Sequence, residues 1–254
     1  MIVAGVSMPS TKAGMKLNDG GCAIIKDDKL VAIAEERITR KKHDLGFNYA
    51  LPYCIEAQEI SLQDIDLFVV SSCCEKVLNT DDIHIEGVPQ EKIVVCPSHH
   101  LSHALGSYCL SGFERSIVMV IDNEGNIIDD ENDDNPFHKR KMEHMSYYVA
   151  DKDGVKLLEI DDVPINKIGV GDAYRYFTHY LGFPSYVYAG KTMGLAAYGR
   201  PNAYKDKKIF ELQDGHIVCD IDNNYMSCET SLKHFFLNHL FKLLNDTFLY
   251  YLLL

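Results

Sequence analysis

Short apolar runs alternate with polar turns over the first third of the chain. Residues 2–6 read as a first strand, 21–25 as a second, and 30–34 as its hairpin partner across the turn Lys26-Asp27-Asp28-Lys29. Strands joined this tightly imply a sheet that begins antiparallel. Residues 9–20 are a loop of small and polar residues. The period then becomes helical over 49–57, returns to a buried strand over 67–72, and fades into a polar, loop-like stretch over 81–91. Residues 93–96 form a short apolar strand. Pro97 and Ser98 follow as stop and cap for a helix beginning at His99. A β-branched run over 117–121 ends on Asp122, with Gly125 close behind. Residues 146–149 and 155–160 flank Asp151-Lys152-Asp153-Gly154, a hairpin signature. Ala173, Tyr174, Phe177, Tyr180 and Leu181 recur at helical spacing, so an amphipathic helix is expected over 171–181. A small-residue helix or turn over 191–199 and a hairpin over 210–222, turning at Asp214-Gly215, complete the pattern. From Ser231 the chain is strongly apolar, and positions 236, 240, 243 and 244 predict one helix from about 230 to 250.

Composition narrows the class. The 254 residues are 46% apolar, enough for a substantial core, and carry a net charge of −12. That charge argues against nucleic acid and anionic membrane surfaces as partners. Eight cysteines show no C-x-x-C spacing, which suggests reduced thiols in a cytoplasmic protein. The start, Met1-Ile2-Val3-Ala4-Gly5-Val6, has no positive region before its apolar run, so no signal peptide is expected. No apolar stretch reaches the ~18 residues of a membrane span. The tail comes nearest, and Asn238, His239, Lys242, Asn245 and Asp246 interrupt it. The acidic run 129–134 and the basic run 138–141 read as a solvated excursion between strands. No internal repeat is visible at a period of 20–50 residues.

The chemistry concentrates at His99 and His103. Four residues apart, they share one helix face and could hold one metal ion, with a strand-terminal Asp supplying a carboxylate. The alternative is a pair of polar histidines at a surface helix start. Two imidazoles and a carboxylate suit a borderline transition metal better than calcium or magnesium. Gly20-Gly21 between two strands either lets backbone N–H groups approach a phosphate or simply makes a turn. Gly190-Lys191-Thr192 does not complete a phosphate-binding loop, because Ser185 stands where the upstream glycine is required. Residues 36–43 place several cationic groups beside the first hairpin, either as an exposed charged segment or as part of a site.

Four blocks, in order, resemble the carbamoyltransferase family that includes nodulation and antibiotic-tailoring O-carbamoyltransferases. The first is Asn18-Asp19-Gly20-Gly21 with its strand, followed by Glu35-Glu36-Arg37-Ile38-Thr39-Arg40-Lys41-Lys42-His43-Asp44. The second is His99-His100-Leu101-Ser102-His103-Ala104, and the third Val118-Met119-Val120-Ile121-Asp122 with Gly125. The fourth runs from Gly171-Asp172-Ala173-Tyr174 through Leu181-Gly182-Phe183 to Gly190-Lys191-Thr192-Met193-Gly194 and on to Gly199. The resemblance covers residues 1 to about 203. It implies an α/β protein with an actin-like, sugar-kinase-like ATPase fold, here a first lobe of mixed sheet and flanking helices. It also implies an iron-like divalent metal on His99, His103 and Asp122; His100 points elsewhere on a helix and is not counted as a ligand. ATP or carbamoyl-adenylate would lie against Gly20, Gly21, Gly171, Tyr174, Gly190, Lys191 and Gly194, with packing an equal role for Tyr174 and Gly194. Arg40, Lys42 and His43 would serve the adenylate phosphate or the acceptor.

Two departures stand out. Members of the family usually carry His-Asp where this chain has Asn18-Asp19, which removes an imidazole from that position. They are also about twice as long, with a further lobe and a domain that makes carbamoyl-adenylate from carbamoyl phosphate. The expected organisation is therefore an incomplete N-terminal carbamoyltransferase domain over 1–230 and an apolar helix over 231–254, a truncated interlobe element prone to self-association. The expected function is the N-terminal part of an enzyme that carbamoylates a hydroxyl of a sugar-like small molecule, without turnover on its own and able to regain it with a separately encoded C-terminal lobe. The alternatives are a non-catalytic remnant or subunit that binds nucleotide or a partner chain, and a stand-alone metal hydrolase.

Overall fold

The computed structural model describes residues 1–9, 19–73, 76–129, 141–161, 169–184, 188–199, 210–213 and 216–219. The expected tail helix, the boundary at 230, Asn18 and most of the acidic and basic runs lie outside these residues.

The opening strands β1 (Ile2–Ser7), β2 (Gly21–Lys26) and β3 (Lys29–Ala34) form the expected antiparallel meander. Two further strands, β4 (Leu67–Ser71) and β5 (Ile93–Val95), extend the sheet in parallel from β1, giving the order β3-β2-β1-β4-β5. Alternation decides the buried face. Ala4 and Val6 of β1, Ile24 of β2, and Phe68 and Val70 of β4 point into one core, where Ala50, Leu51 and Cys54 of helix α2 (Ala50–Ala57) meet them. Helix α1 (Glu35–Thr39) precedes α2 and leads into the cationic segment 36–43. Glu35, just before the segment 36–43, is 2% exposed, with its carboxylate accepting the N–H groups of Tyr49 and Ala50 at the start of α2. The polar stretch 81–91 also departs from expectation. It carries single-turn helices at Thr80–Asp82 and Gln90–Lys92, and between them Ile83 and Ile85 enter the core.

Helix α3 (His99–Ser111) leads out of β5. It packs on a second sheet built from β6 (Arg115–Ile121), β9 (Met145–Asp151) and β10 (Gly154–Asp161), with Ala104, Val120 and Tyr148 buried between them. The order β10-β9-β6 is antiparallel throughout and repeats the meander β3-β2-β1. Between β6 and β9 runs a two-stranded excursion of β7 (Ile127–Asp129) and β8 (Lys141–Met142). Helices α4 (Val170–Tyr180) and α5 (Ala189–Ala196) follow, joined by a buried 2.7 Å hydrogen bond between the hydroxyls of Thr178 and Thr192. The hairpin of β11 (Phe210–Gln213) and β12 (His216–Cys219) comes last. Among the described residues, no helix is long and apolar enough to cross a membrane.

Candidate functional site

Ser98 caps α3 as its sequence suggests, its hydroxyl accepting the Leu101 N–H at 2.9 Å. The helix therefore begins where His99 and His103 stack on one face, and their rings meet edge to face with centroids 4.6 Å apart. Asp122, immediately after β6, completes the group. His99 Nε2 is 3.1 Å from Asp122 Oδ2 and 3.0 Å from His103 Nε2, and His103 Nε2 is 3.7 Å from Asp122 Oδ2. Two donors bound at ~2.1 Å to one ion, at angles between octahedral and tetrahedral, lie about 3.0–3.4 Å apart. The observed spacing falls at or near that range.

The alternative, a purely hydrogen-bonded cluster, is poorly satisfied. A neutral imidazole nitrogen is a donor or an acceptor, not both. If His99 Nε2 donates to Asp122, it has no lone pair left for His103. Three electron-rich atoms aimed at one point suit a cation. The protonation states agree. His103 is held below its ordinary pKa by the desolvating protein around its ring and by neighbouring His99. Burial pushes Asp122 upward, but hydrogen bonds from His99 and the Asn123 N–H, with the nearby imidazoles, bring it net below the usual carboxylate range. His100, excluded from the ligand set on helical geometry, points into the protein, fully buried, with Nδ1 2.7 Å from the Ser146 hydroxyl.

Of the remaining sequence candidates, Gly171 lies beside this cluster. A Cβ there would collide with the backbone of Asp122 and Asn123, so the first turn of α4 rests directly against the carboxylate-bearing loop. Arg175, one turn along α4, pairs with Glu124 of the same loop at 2.8 Å. Tyr174 is half-buried on α4, and burial raises its phenol pKa. Gly190 and Gly194 leave an open surface on α5, where an added Cβ would meet nothing within 4 Å. Lys191 extends its ammonium over the Tyr188 ring, 4.0 Å from the centroid. Gly20 fits closely against polypeptide: a Cβ there would strike the backbone of Leu45 and Gly46. Gly21 begins β2, where a Cβ would lie 3.1 Å from the Ile33 carbonyl.

The cationic segment folds back over that glycine. Arg40 and Lys42 are exposed, whereas the ring of His43 turns inward. His43 Nδ1 sits 2.7 Å from Asp19 Oδ1, and the ring faces Tyr188 at a centroid distance of 6.5 Å. Tyr188 thus stands between His43 and Lys191. The Asp19 carboxylate is thus paired with the imidazole of His43.

Two residues at the metal-type cluster escaped the sequence reading. Glu143, in the turn between β8 and β9, is 4% exposed, and Asn126, in the loop after β6, is 3% exposed. Their spacing in sequence carries no periodic or motif signal, so only tertiary contact reveals them.

Comparison with known proteins places the site in context. The family model for the carbamoyltransferase N-terminus matches residues 11–91 and 80–243. The chain belongs to the carbamoyltransferase N-terminus family. Within it, nodulation protein NolNO of Sinorhizobium fredii is 26% identical over 226 residues, covering 78% of this chain and 30% of that protein. Nodulation protein NolO of Bradyrhizobium diazoefficiens is 30% identical over 122 residues, covering 46% of this chain and 18% of that one. The chain thus spans about a third or less of the curated relatives it matches. Among solved structures, YeaZ from Pseudomonas aeruginosa aligns over 63% of this chain and 66% of its own, with a TM-score of 0.32 and 8% identity. The sheet order itself, an antiparallel meander extended in parallel from its first strand, is that of an actin-like ATPase lobe.

Proposed function

We propose that this chain carries the metal- and nucleotide-binding part of an O-carbamoyltransferase that moves a carbamoyl group from carbamoyl-adenylate to a hydroxyl of a sugar-like small molecule. The observation that carries this reading is the convergence of His99, His103 and Asp122 in a chain of this family. Their donor set fits an iron-like divalent ion, which when bound would supply Lewis-acid polarisation of a phosphate or carbonyl oxygen.

The protein's own groups supply the rest. His99 and His103 present lone pairs, and Asp122 contributes negative charge to offset a cation. Lys191, oriented by the Tyr188 ring, offers positive charge to a nucleotide phosphate, and the bare α5 surface at Gly190 and Gly194 permits close approach. Gly171 sets α4 against the Asp122 loop, Tyr174 lies one turn further on, and Gly20 and Gly21 hold the first hairpin near the cationic segment. Arg40 and Lys42 are free to meet anionic groups of the adenylate, and His43, steadied by Asp19, to orient the acceptor hydroxyl. Free cysteines among the described residues support a cytoplasmic setting. Formation of the adenylate from carbamoyl phosphate is assigned to a further lobe, encoded with this segment or separately.

The test combines binding and turnover. Isothermal titration of the chain with Fe²⁺ under anaerobic conditions is expected to show one site, lost in His99→Ala, His103→Ala and Asp122→Asn. Carbamoyl transfer is expected only when the adenylate-forming lobe of a full-length relative is added. Absence of metal binding by the folded wild-type chain overturns the metal assignment. Binding without turnover in the reconstituted mixture favours a non-catalytic nucleotide-binding subunit.

A further inference from the structure

The two elements that carry the triad, α3 and the loop after β6, are both tied to one residue. The Glu143 carboxylate accepts the Ser98 hydroxyl, the His100 N–H at 3.3 Å and the Asn126 N–H at 2.9 Å. Its backbone pairs with the same loop: Gly125 N–H donates to the Glu143 carbonyl at 2.6 Å, and Glu143 N–H to the Asn126 carbonyl at 3.0 Å. Asn126, held this way, accepts the His99 N–H through Oδ1 at 2.6 Å. The first three N–H groups of α3 are therefore all satisfied by side chains, those of Asn126, Glu143 and Ser98. The neighbouring His144 accepts the Asp122 N–H at 2.9 Å through its carbonyl. Room for the carboxylate depends on Gly125: a Cβ there would sit 2.5 Å from Glu143 Oε2 and 2.8 Å from the His100 ring.

We propose that Glu143 is a positioning residue for the metal site, clamping the start of α3 to the Asp122 loop so that the donor atoms of His99, His103 and Asp122 face one point. This inference rests on the metal reading of the triad. Glu143 touches none of the three ligand side chains by hydrogen bond. It acts through the helix start and through Asn126. A helix free to turn or slide by a fraction of a turn carries both imidazoles with it, away from a carboxylate that belongs to a different element. Outer partners of this kind set ligand orientation and metal affinity.

Cobalt(II) titration of the full chain, followed by its visible d–d absorption, tests the assignment. The wild-type chain is expected to bind one Co²⁺ with a defined ligand-field spectrum. Glu143→Gln keeps the volume and an acceptor but loses the charge, and is expected to weaken Co²⁺ binding about 10- to 100-fold and to alter the band shape. Glu35→Gln, the matching change at a buried carboxylate that caps α2, is expected to lower stability while leaving affinity and spectrum unchanged. If Glu143→Gln does not fold, as judged by circular dichroism, Ser98→Ala takes its place, since it removes one arm of the clamp at a less buried position; a weaker shift of the same kind is expected. No Co²⁺ binding by the wild type fails the metal reading itself. Wild-type binding that depends on His99, His103 and Asp122, with unchanged affinity and spectrum in the folded Glu143→Gln or Ser98→Ala chain, overturns the positioning role alone.

Discussion

His43 and Asp19 are joined across 24 residues of sequence by a 2.7 Å contact between Nδ1 and Oδ1. The His43 end of the pair is fixed locally. His43 adopts a left-handed conformation with φ 57°, costly for a residue with a Cβ, and its N–H is held by Glu36 Oε2 at 2.9 Å. The carboxylate selects the tautomer with the proton on Nδ1 and leaves Nε2, buried and without a hydrogen-bond partner, as the basic nitrogen. Asp19→Asn is expected to disturb that preference. Nitrogen-15 NMR of the imidazole checks it: the wild-type ring should report Nδ1–H, and an unchanged tautomer in the variant contradicts the pairing.

The glycines divide by what surrounds them. Gly171→Ala is expected to push the first turn of α4 off the Asp122 loop, because the added methyl meets fixed backbone. A loss of about 2–4 kcal/mol of stability is expected, in the range of severe overpacking. Gly190→Ala and Gly194→Ala, in the open helix α5, are expected to gain about 0.5–1 kcal/mol each through helix propensity. Urea denaturation of the three variants separates the two groups, and a neutral Gly171→Ala would show that α4 does not rest where the structure has it.

Glu35 stabilises the first lobe by capping α2. Tyr49 and Ala50 donate to its carboxylate at 3.0 and 2.8 Å, and the side chain is buried. Glu35→Ala leaves two backbone N–H groups unpaired inside the protein and is expected to cost about 3–5 kcal/mol, whereas Glu35→Gln retains an acceptor and is expected to cost about 1–2 kcal/mol. Equal losses from the two substitutions would mean that packing, not hydrogen bonding, dominates at this position.

His100 makes stability sensitive to mild acid. Burial pushes its pKa down to about 4, against an ordinary value of 6.5. Above pH 6.5 the ring is neutral in both folded and unfolded chains and adds no pH dependence. Between 6.5 and about 4 the unfolded chain takes up a proton that the folded one refuses, so stability falls as pH falls, by up to ~1.4 kcal/mol per unit. His103, also lowered, acts in the same direction. Asp122 acts only at lower pH, as its depressed carboxylate becomes protonated. Denaturation midpoints measured from pH 7.5 to 5 are expected to decline in the wild type and to decline less steeply in His100→Phe; identical slopes would remove His100 as the cause.

What was legible in the sequence was local. Short apolar runs and turn signals placed the strands of both meanders, and the Pro97-Ser98 stop and cap marked the start of α3 to the residue. Helical spacing put His99 and His103 on one face, and the end of an apolar run put Asp122 beyond a strand. Each of these depends on dihedral preference and side-chain periodicity over a few neighbours, which a sequence displays directly. Glu35 and Glu143 lie in charged surroundings, Glu35-Glu36-Arg37 and Lys141-Met142-Glu143-His144, that carry no local signal of burial. Both are buried because the unpaired N–H groups of helix starts 15 and 43 residues away meet them in space and repay the loss of water. Ile83 and Ile85 were hidden in the same way, by polar neighbours that face outward. The His43–Asp19 pair, the contact of Gly171 with the Asp122 loop and the second sheet that repeats the order of the first arise from long-range packing. No local pattern encodes which distant backbone a residue will meet, so these were decided by the tertiary structure alone.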